Sequence, residues 1–460
     1  MYDWANSAFA TTMMAAVLPS FYSAVAGAHL DKTTASSYWG YTNTIAMLII
    51  ASSAPMLGAI ADYKEKKKIF LGWFAAFGII ATALMVFVSI GDWFVASILY
   101  IIGRIGFAGS NIFYNSLLPH IVNNHRIKRP GGRNQIGIPP WRPKEKTCSK
   151  NKLLQSNSIK RRDAATKQSN SINNVSALGY AYGYLGGALL LTINLLMIMK
   201  PSLFGISNSE WGARFSFLTV AIWWALFSLP LLRHVPEPSS AHIIRPKGNP
   251  LLEGFHRLKN TYHDIKRYRQ LIKFLFAFWL YNDGIGTIII MAVIFGAEIG
   301  ISQANLIGAI LMVQFAGFPF SIFFGWLPEK IGTKQSILIT LFVYSLISVL
   351  GYFMTEFIHF WILAFMVATV QGGAQALSRS MFATMTPKGK SAEFFGFYDV
   401  SGKFAGIIGP VIFGVVGQLT GSSRYGILAL ILFFVGGGLL LISVNHEEGI
   451  RSAQPADENI

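Results

Sequence analysis

The sequence YWGYTNTIAMLIIASSAPMLGAIA, residues 38–61, contains no charged side chain. A helix needs about 20 predominantly apolar residues to cross the hydrocarbon core of a bilayer. Because backbone polar groups inside lipid must find partners within their own segment, we predict that this stretch is a transmembrane helix. The Gly and Pro residues within it do not oppose this prediction, since membrane helices tolerate both.

Comparable apolar runs recur along the whole chain and predict about twelve transmembrane helices. Within these runs, the residues of ionised type are Arg104, Asp283, Asp399 and Lys403. We therefore expect an all-α membrane protein. The predicted spans are residues 5–26, 38–61, 69–91, 93–118, 175–199, 215–232, 274–297, 305–328, 335–355, 360–378, 394–419 and 425–445.

The composition supports the membrane assignment. Of 460 residues, 53% are hydrophobic and 13% are charged, and the mean hydropathy is +0.46. A soluble domain would carry roughly a quarter charged residues. Cys148 is the single cysteine, so neither a disulfide within the chain nor a cysteine-based metal site can form. The histidines show no ligand-like spacing, and we predict no metal site and no cofactor.

The distribution of charge predicts the orientation of the chain. Twelve helices place both termini on one side of the membrane, and the loops on that side contain most of the Lys and Arg residues, notably between residues 126–167 and 233–273. Because cytoplasmic loops are enriched in Lys and Arg, we expect both termini in the cytoplasm. These loops account for most of the net charge of +17, so we expect no nucleic-acid partner. No basic segment precedes the first apolar run, and we expect no cleaved signal peptide.

The spacing of the spans divides the chain into two pseudo-symmetric six-helix bundles. The segment 121–174 is basic and rich in Asn, Ser and Lys, and we predict a disordered cytoplasmic insertion. In the linker 233–273, Leu251, Phe255 and Leu258 recur at helical spacing among basic residues, typical of a helix on a membrane surface or of a solvated linker helix. The predicted segments are 1–120 (helices one to four), 121–174 (insertion), 175–232 (helices five and six), 233–273 (linker), 274–446 (helices seven to twelve) and 447–460 (tail).

Two loops at equivalent positions of the halves repeat one pattern. Gly58-Ala-Ile-Ala-Asp62 and Gly325-Trp-Leu-Pro-Glu329 each place an acid four residues after a glycine, and basic residues follow both. Matching motifs in two halves are typical of internal repeats in transporters. Glycine permits close approach of helices, and the acid can pair with a neighbouring cation. We predict that Gly58, Asp62, Gly325 and Glu329 form gates that open when the halves move.

Two isolated charges lie in the middle of predicted spans. Placing Arg104 there costs at least ~3 kcal/mol, so its side chain should face a cavity or a partner. Anion capture, proton relay and a structural ion pair are the open interpretations. Asp283 is the only acid of the seventh span. Because burial disfavours a charged carboxylate, Asp283 either exchanges a coupling proton or is a fixed partner of Arg104 or Lys403.

Further polar residues occur on the tenth and eleventh spans. Asp399 and Lys403 are four residues apart, where they can form an intramembrane ion pair on one helical face. Gln371, Gln375 and Arg379 also recur every four residues. We predict that the two glutamines hydrogen-bond a polar solute and that Arg379 anchors its helix at the cytoplasmic surface.

Five sequence strings together resemble one transporter family. They are Tyr2-Asp-Trp-Ala-Asn-Ser-Ala-Phe9, Phe113-Tyr-Asn-Ser-Leu-Leu-Pro119, Gly179-Tyr-Ala-Tyr-Gly-Tyr-Leu-Gly-Gly187, Tyr281-Asn-Asp-Gly284 and Gln371-Gly-Gly-Ala-Gln-Ala-Leu-Ser-Arg-Ser380. They are similar to the vacuole effluxer-like family of the major facilitator superfamily, and the resemblance covers nearly the whole chain except about 123–174. It implies a twelve-helix facilitator fold. The cavity residues that it implies are Asp3, Asn6, Arg104, Asn282, Asp283 and Gln375.

The residues and the resemblance lead to one functional expectation. We predict a secondary active transporter that moves a small polar solute, with amino acids as candidates, by proton-coupled alternating access between two bundles. A lipid flippase on the same fold and a non-transporting sensor are the alternatives. An enzyme acting on lipid would need clustered His, Asp or Ser near one membrane face, and we find no such cluster. We expect a monomer in the bacterial cytoplasmic membrane, with the solute, protons and membrane lipid as partners.

Overall fold

The computed structural model describes residues 1–30, 32–64, 66–127, 150–237, 268–387, 390–404 and 408–453. The N-terminal half contains six helices in this part of the chain. They are α1 (Tyr2–Ala26), α2 (Lys32–Lys64), α3 (Lys67–Leu84), α4 (Trp93–Ile127), α5 (Lys150–Met199) and α6 (Ser209–His234). Helix α1 includes the π-helical stretches Phe9–Ala16 and Tyr22–Ala26.

The C-terminal half repeats this arrangement, and its last span is divided at Leu430. Its helices are α7 (Arg269–Glu298), α8 (Gln303–Ile331), α9 (Thr333–Tyr352), α10 (Phe357–Met385), α11 (Ser391–Phe404), α12 (Ile408–Thr420), α13 (Ser423–Ala429), α14 (Ile431–Ile442) and α15 (His446–Ser452). Eleven helical segments within the described residues are long and apolar enough to cross a membrane. Helices α11 and α12 together occupy the predicted eleventh span, so the twelve-helix prediction is confirmed.

Each half has its own aromatic core. In the N-terminal half, Phe9 stacks on Phe107 with ring centres 5.2 Å apart and also contacts Trp224. In the C-terminal half, Phe278 stacks on Tyr398 at 4.3 Å. Large apolar side chains also cover the outer surface. Because a bilayer solvates such side chains as well as a core does, this surface is the one expected of a membrane protein.

The helix pairs with the most extensive contact between the two halves are α2 with α11, α5 with α8 and α5 with α10. We call the membrane side on which α1 begins and α14 ends the termini side. There, Gly58 lies directly against the Ala392 backbone, and Gly396 packs on Ala54 and its neighbour. Toward the other side, no described atom comes within 4 Å of a Cβ position built at Gly40 of α2. The contact between α2 and α11 is therefore closed on the termini side.

Part of the segment 121–174, for which disorder was predicted, is helical. Helix α4 continues to Ile127 and α5 already begins at Lys150, while residues 128–149 lie outside the described part. Two physical reasons account for the helix. Lys, Arg, Gln and Ala are good helix formers, and Ile172 and Asn173 are buried against the C-terminal half. The amphipathic pattern predicted at residues 251–265 lies outside the described residues.

Candidate functional site

Arg104 lies in the middle of α4 and is 6% exposed. Its Nη1 donates to the Met14 sulfur on α1, and its Nε has no hydrogen-bond partner. No carboxylate among the described residues forms an ion pair with it. A buried cation without a counter-charge is unfavourable, so this guanidinium is suited to attract an anion.

A polar stripe on α4 surrounds Arg104. Tyr100 and Asn111 lie one turn before and two turns after it, on the same helical face. The Tyr100 hydroxyl donates to Asn43 Oδ1 of α2 at 2.8 Å. The Asn6 amide of α1 donates to Asn111 Oδ1 at 2.5 Å. The structure therefore places Asn6 and Arg104, both predicted site residues, on a polar seam of the N-terminal half.

Asp283 lies on α7 and is 2% exposed. Both carboxylate oxygens accept a hydrogen bond from the Gly409 backbone nitrogen at 3.1 Å, at the start of α12. Gly409 is required here, because an added Cβ would overlap Thr287 Oγ1 and lie 2.9 Å from Asp283 Oδ1. Asp283 therefore joins α7 to α12 through a hydrogen bond from the backbone.

Three other predicted polar residues lie on α7 and α10 of the C-terminal half. Gln371 and Gln375 on α10 and Asn282 on α7 are half-buried. Gly372, beside Gln371, packs against Ser321 and Tyr184. The Ser321 and Tyr184 hydroxyls are buried without a hydrogen-bond partner in the described structure. Buried polar atoms of this kind are uncommon and mark places where polar groups bind.

The first of the two repeated loops connects the halves. Asp62 Oδ1 pairs with Lys67 Nζ at 2.8 Å, and Asp62 Oδ2 accepts from the Glu393 backbone nitrogen at 2.8 Å. Lys67 in turn donates to Ser391 Oγ of α11. We predicted that the acid pairs with a cation on a neighbour. The cation is Lys67 of the same half, and the partner across the boundary is the N-terminus of α11.

The second repeated loop also contacts the opposite half. Glu329 at the end of α8 is exposed and accepts a hydrogen bond from the Asn174 amide of α5 at 3.0 Å. A Cβ at Gly325 would lie 2.9 Å from the Ala177 side chain. The two copies thus use equivalent helix pairs, α2 with α11 and α8 with α5. Their chemistry differs, since Asp62 is buried and Glu329 is not.

Sequence reasoning assigned the wrong role to Arg379. It was predicted to anchor α10 at the membrane surface, but it is 3% exposed and reaches into the N-terminal half. Its Nη1 lies 3.4 Å from Asp3 Oδ1 of α1. Asp3, which the resemblance implied as a cavity residue, is placed in this ion pair. The stripe of Gln371, Gln375 and Arg379 was the available signal, because it predicted one polar face along α10.

One cavity lies apart from the predicted site residues, and another lies beside Arg379. A cavity of about 400 Å³ on the side opposite the termini is lined by Glu298, Phe413 and Gln418, and none of the predicted site residues line it. A cavity of about 20 Å³ lies beside Arg379 and Asn115. The predicted pair of Asp399 with Lys403 involves the Lys403 side chain, which lies outside the described residues.

Comparisons with known proteins agree with this architecture. The sequence profile of a family described as "Vacuole effluxer Atg22 like" matches residues 28–454. The chain is 34% identical to the "Uncharacterized MFS-type transporter YxiO" of Bacillus subtilis, over 100% of this chain and 96% of that protein. It is 23% identical to "Autophagy-related protein 22" of Yarrowia lipolytica, over 93% of this chain and 78% of that protein.

Solved structures share the fold at low sequence identity. The proton:xylose symporter XylE superposes with a TM-score of 0.65 at 13% identity, covering 97% of this chain and 94% of that chain. The human organic anion transporter MFSD10 gives a TM-score of 0.61 at 12% identity, covering 96% and 97%. Both belong to the major facilitator superfamily or carry its fold, and at this level of identity the similarity concerns the fold alone.

Proposed function

Because the chain belongs to the vacuole effluxer Atg22-like family of the major facilitator superfamily, and is therefore a multi-pass secondary transporter rather than an enzyme, we propose that it moves a small anionic or zwitterionic solute by alternating access. Amino acids are the leading solute class. Arg104 binds the solute carboxylate, and Asp283 exchanges the coupling proton. Asn6, Asn282, Gln371 and Gln375 supply hydrogen bonds to the solute.

The proposal rests on the surroundings of Arg104, which is buried among neutral groups in the described structure. A guanidinium that is 6% exposed normally has a carboxylate partner, yet the described residues provide only neutral groups around it. The asparagine and tyrosine side chains on the adjacent seam can accept or donate hydrogen bonds without competing for the charge. A carboxylate bound at Arg104 would complete a charge-assisted hydrogen bond that the protein itself lacks.

The proposed role of Asp283 follows from its hydrogen bond with the α12 backbone. A charged carboxylate accepts this hydrogen bond more strongly than a protonated carboxyl group does, so protonation weakens the contact with α12. A proton gained or lost at Asp283 would thereby alter the packing of α12 against α7. Such a link between proton binding and helix packing is what coupling requires, since a ligand shifts a conformational equilibrium only by differential affinity.

The proposed orientation uses the loop charges. Lys66, Lys67 and Lys68 lie on the termini side, and basic residues are enriched in cytoplasmic loops. We place both termini in the cytoplasm of a bacterial cell. The structure is closed on this side, between α2 and α11 and between α5 and α8. A solute bound between the halves is closed off from the cytoplasm in this state.

Reconstituted protein tests the solute site directly. Counterflow of pooled labelled amino acids into proteoliposomes identifies the solute, with and without a pH gradient. Arg104→Gln should raise KM about 10- to 100-fold, because it removes a charge-assisted hydrogen bond. Arg214→Gln is the matched control, since Arg214 is 8% exposed and already pairs with Glu210. Equal effects of the two substitutions would contradict anion binding at Arg104.

The coupling role has its own experiment. Asp283→Asn should abolish accumulation driven by a pH gradient and spare solute exchange, because the neutral side chain cannot release a proton. Glu298→Gln, at the exposed end of the same helix, is the control and should leave both activities unchanged. Undiminished accumulation by Asp283→Asn would rule out this residue as the proton site.

A further inference from the structure

Arg379 crosses the boundary between the two halves. Helix α10 belongs to the C-terminal half, yet the hydrogen bonds of the guanidinium go to the N-terminal half. Nε donates to Ser176 Oγ at 2.9 Å, and Nη2 donates to the Ser176 carbonyl at 2.8 Å. Nη1 reaches Asp3 Oδ1 at 3.4 Å and Asn115 Oδ1 at 3.2 Å. Three helices of one half, α1, α4 and α5, thus hold one side chain of the other.

Two tyrosine rings complete the surroundings of this guanidinium. Its central carbon lies 4.5 Å from the ring centre of Tyr180 and 5.7 Å from that of Tyr114, which is a cation–π arrangement. The Tyr114 hydroxyl also donates to Asp3 Oδ2 at 2.6 Å. The residues Asp3, Tyr114, Asn115, Ser176 and Tyr180 together form what we call the Arg379 socket.

The socket leaves no room for a larger residue at Gly179. An added Cβ would overlap Asp3 Oδ2 and lie 3.0 Å from Arg379 Nη2. A lysine could not replace Arg379 either, because an ammonium lacks the planar fork that reaches Ser176 and Asp3 at once. Shape and charge of the socket are therefore specific for a guanidinium delivered from α10.

The position of this ion pair distinguishes it from the others. Asp62 and Lys67 belong to the same half, and Arg451 pairs with Glu447 within α15. Such pairs can persist when the halves move. Of the ion pairs formed between two described side chains, the one between Arg379 and Asp3 joins the halves. It must break whenever the termini side opens.

We propose that Arg379 and its socket form an inter-half lock that holds the termini side closed and must be released in each transport cycle. This proposal rests on alternating access, but not on the identity of the solute or of the coupling ion. Release would separate Arg379 from five residues of the N-terminal half, while Asp3 keeps its hydrogen bond from Tyr114. The lock therefore sets the ratio of closed to open protein on this side.

Distances between spin labels on the two halves test the lock without solute or a pH gradient. Labels are attached at Lys66→Cys and Lys330→Cys in a Cys148→Ser background, since both lysines are exposed on the termini side of opposite halves. Arg379→Lys and Asp3→Asn should each lower the ratio of short to long distances by about tenfold or more. Transport by these variants should show a changed kcat with a smaller change in KM.

Arg451→Ala is the matched control, because it removes an ion pair of the same 3.4 Å separation that lies within one half. It should leave the distance distribution unchanged. The variant carrying both Arg379→Lys and Asp3→Asn should shift the ratio by less than the product of the single effects, since both remove one interaction. Asp3→Asn is nearly isosteric, so it decides the question if Arg379→Lys does not fold.

An unchanged distance distribution in folded Asp3→Asn protein would overturn the lock. That result would leave solute binding at Arg104 untouched, because the counterflow experiment reports on it separately. Conversely, equal effects of Arg104→Gln and Arg214→Gln on counterflow, together with a shifted distance distribution in Asp3→Asn protein, would reject the solute site and retain the lock.

Discussion

Gly58→Ala adds one methyl group where α2 meets the start of α11, and its consequence follows from the distances there. A Cβ atom at this position would overlap the Ala392 carbonyl oxygen, and it would lie 2.6 Å from the Ala392 carbonyl carbon and 2.8 Å from the Glu393 nitrogen. Ordinary contact begins at 3.4 Å, so the two backbones must separate by at least about 0.8 Å, the difference from 2.6 Å. Both neighbours are main-chain atoms, and no side-chain rotation relieves the overlap.

The separation also weakens the hydrogen bond beside it. The 2.8 Å distance between Asp62 Oδ2 and the Glu393 nitrogen would grow to at least about 3.6 Å, beyond hydrogen-bonding range. Overpacking costs about 1–3 kcal/mol, and a hydrogen bond to a charged group contributes about 1.5–3 kcal/mol. Because partial relaxation reduces the sum, we expect the closed state to lose about 2–4 kcal/mol relative to the open one.

A loss of this size lowers the closed-to-open ratio roughly 30- to 1000-fold, at 1.36 kcal/mol per factor of ten. Spin-label distances between residues 66 and 330 measure it, as for the Arg379 lock. Gly40→Ala provides the control on the same helix, since no described atom lies within 4 Å of its Cβ position. The reasoning would be refuted if Gly58→Ala and Gly40→Ala gave the same distance distribution.

Three further outcomes follow from the described contacts. Asp62→Asn should lower the closed-to-open ratio by tenfold or more. Glu329→Gln should lower it less than fivefold, because an exposed pair contributes about 0–1 kcal/mol. Equal effects of the two substitutions would contradict the role of burial. Gly409→Ala should impair transport as Asp283→Asn does, because the added methyl group overlaps Thr287 Oγ1. Gly414→Ala is the control and should leave transport unchanged, since a Cβ at Gly414 meets no described neighbour within 4 Å. Burial, and secondarily Lys334, lowers the pKa of His446 from 6.5 to about 4, so the folded protein binds this proton less readily than the unfolded chain. The stability contributed by neutral His446 is therefore lost as the pH falls from 6.5 to about 4. Hydrogen exchange in α15 should become faster over this pH range, and His446→Gln should remove this pH dependence.

The transmembrane architecture could be predicted because it depends on composition alone. A run such as residues 38–61 has no acceptable conformation in lipid other than a helix, so its length and apolar character were sufficient. The contact between Asp283 of α7 and Gly409 of α12 was beyond this reasoning, because it joins residues more than a hundred positions apart. The helix at residues 150–174, within the segment 121–174 that was predicted to be disordered, was missed for a related reason, since Asn173 is stabilised by Thr333 and Ser380 of the other half.

Candidate site residues could be predicted from the sequence where placing that residue in the membrane costs free energy by itself. Arg104 and Asp283 stood out because an isolated charge in an apolar run needs a partner or a cavity. Arg379 lies near a predicted helix end, where a charged side chain can reach water at the membrane surface without a desolvation cost. Helical periodicity placed it on one stripe with Gln371 and Gln375, but periodicity cannot show whether lipid, water or the other half faces that stripe. Which residue of the stripe enters a socket was decided by Ser176 and Asp3, on helices far away in sequence.

The two copies of the repeated loop have diverged in a way that the fold explains. Asp62 lies where α11 begins, so its carboxylate meets an unpaired backbone N–H and becomes buried with Lys67. Glu329 faces the middle of the continuous helix α5, whose backbone N–H groups are already paired, and only the Asn174 side chain is available. An acid at the second position therefore remains at the surface. On our proposal, closure of the termini side depends on Asp62 and on the Arg379 lock, and Glu329 contributes little.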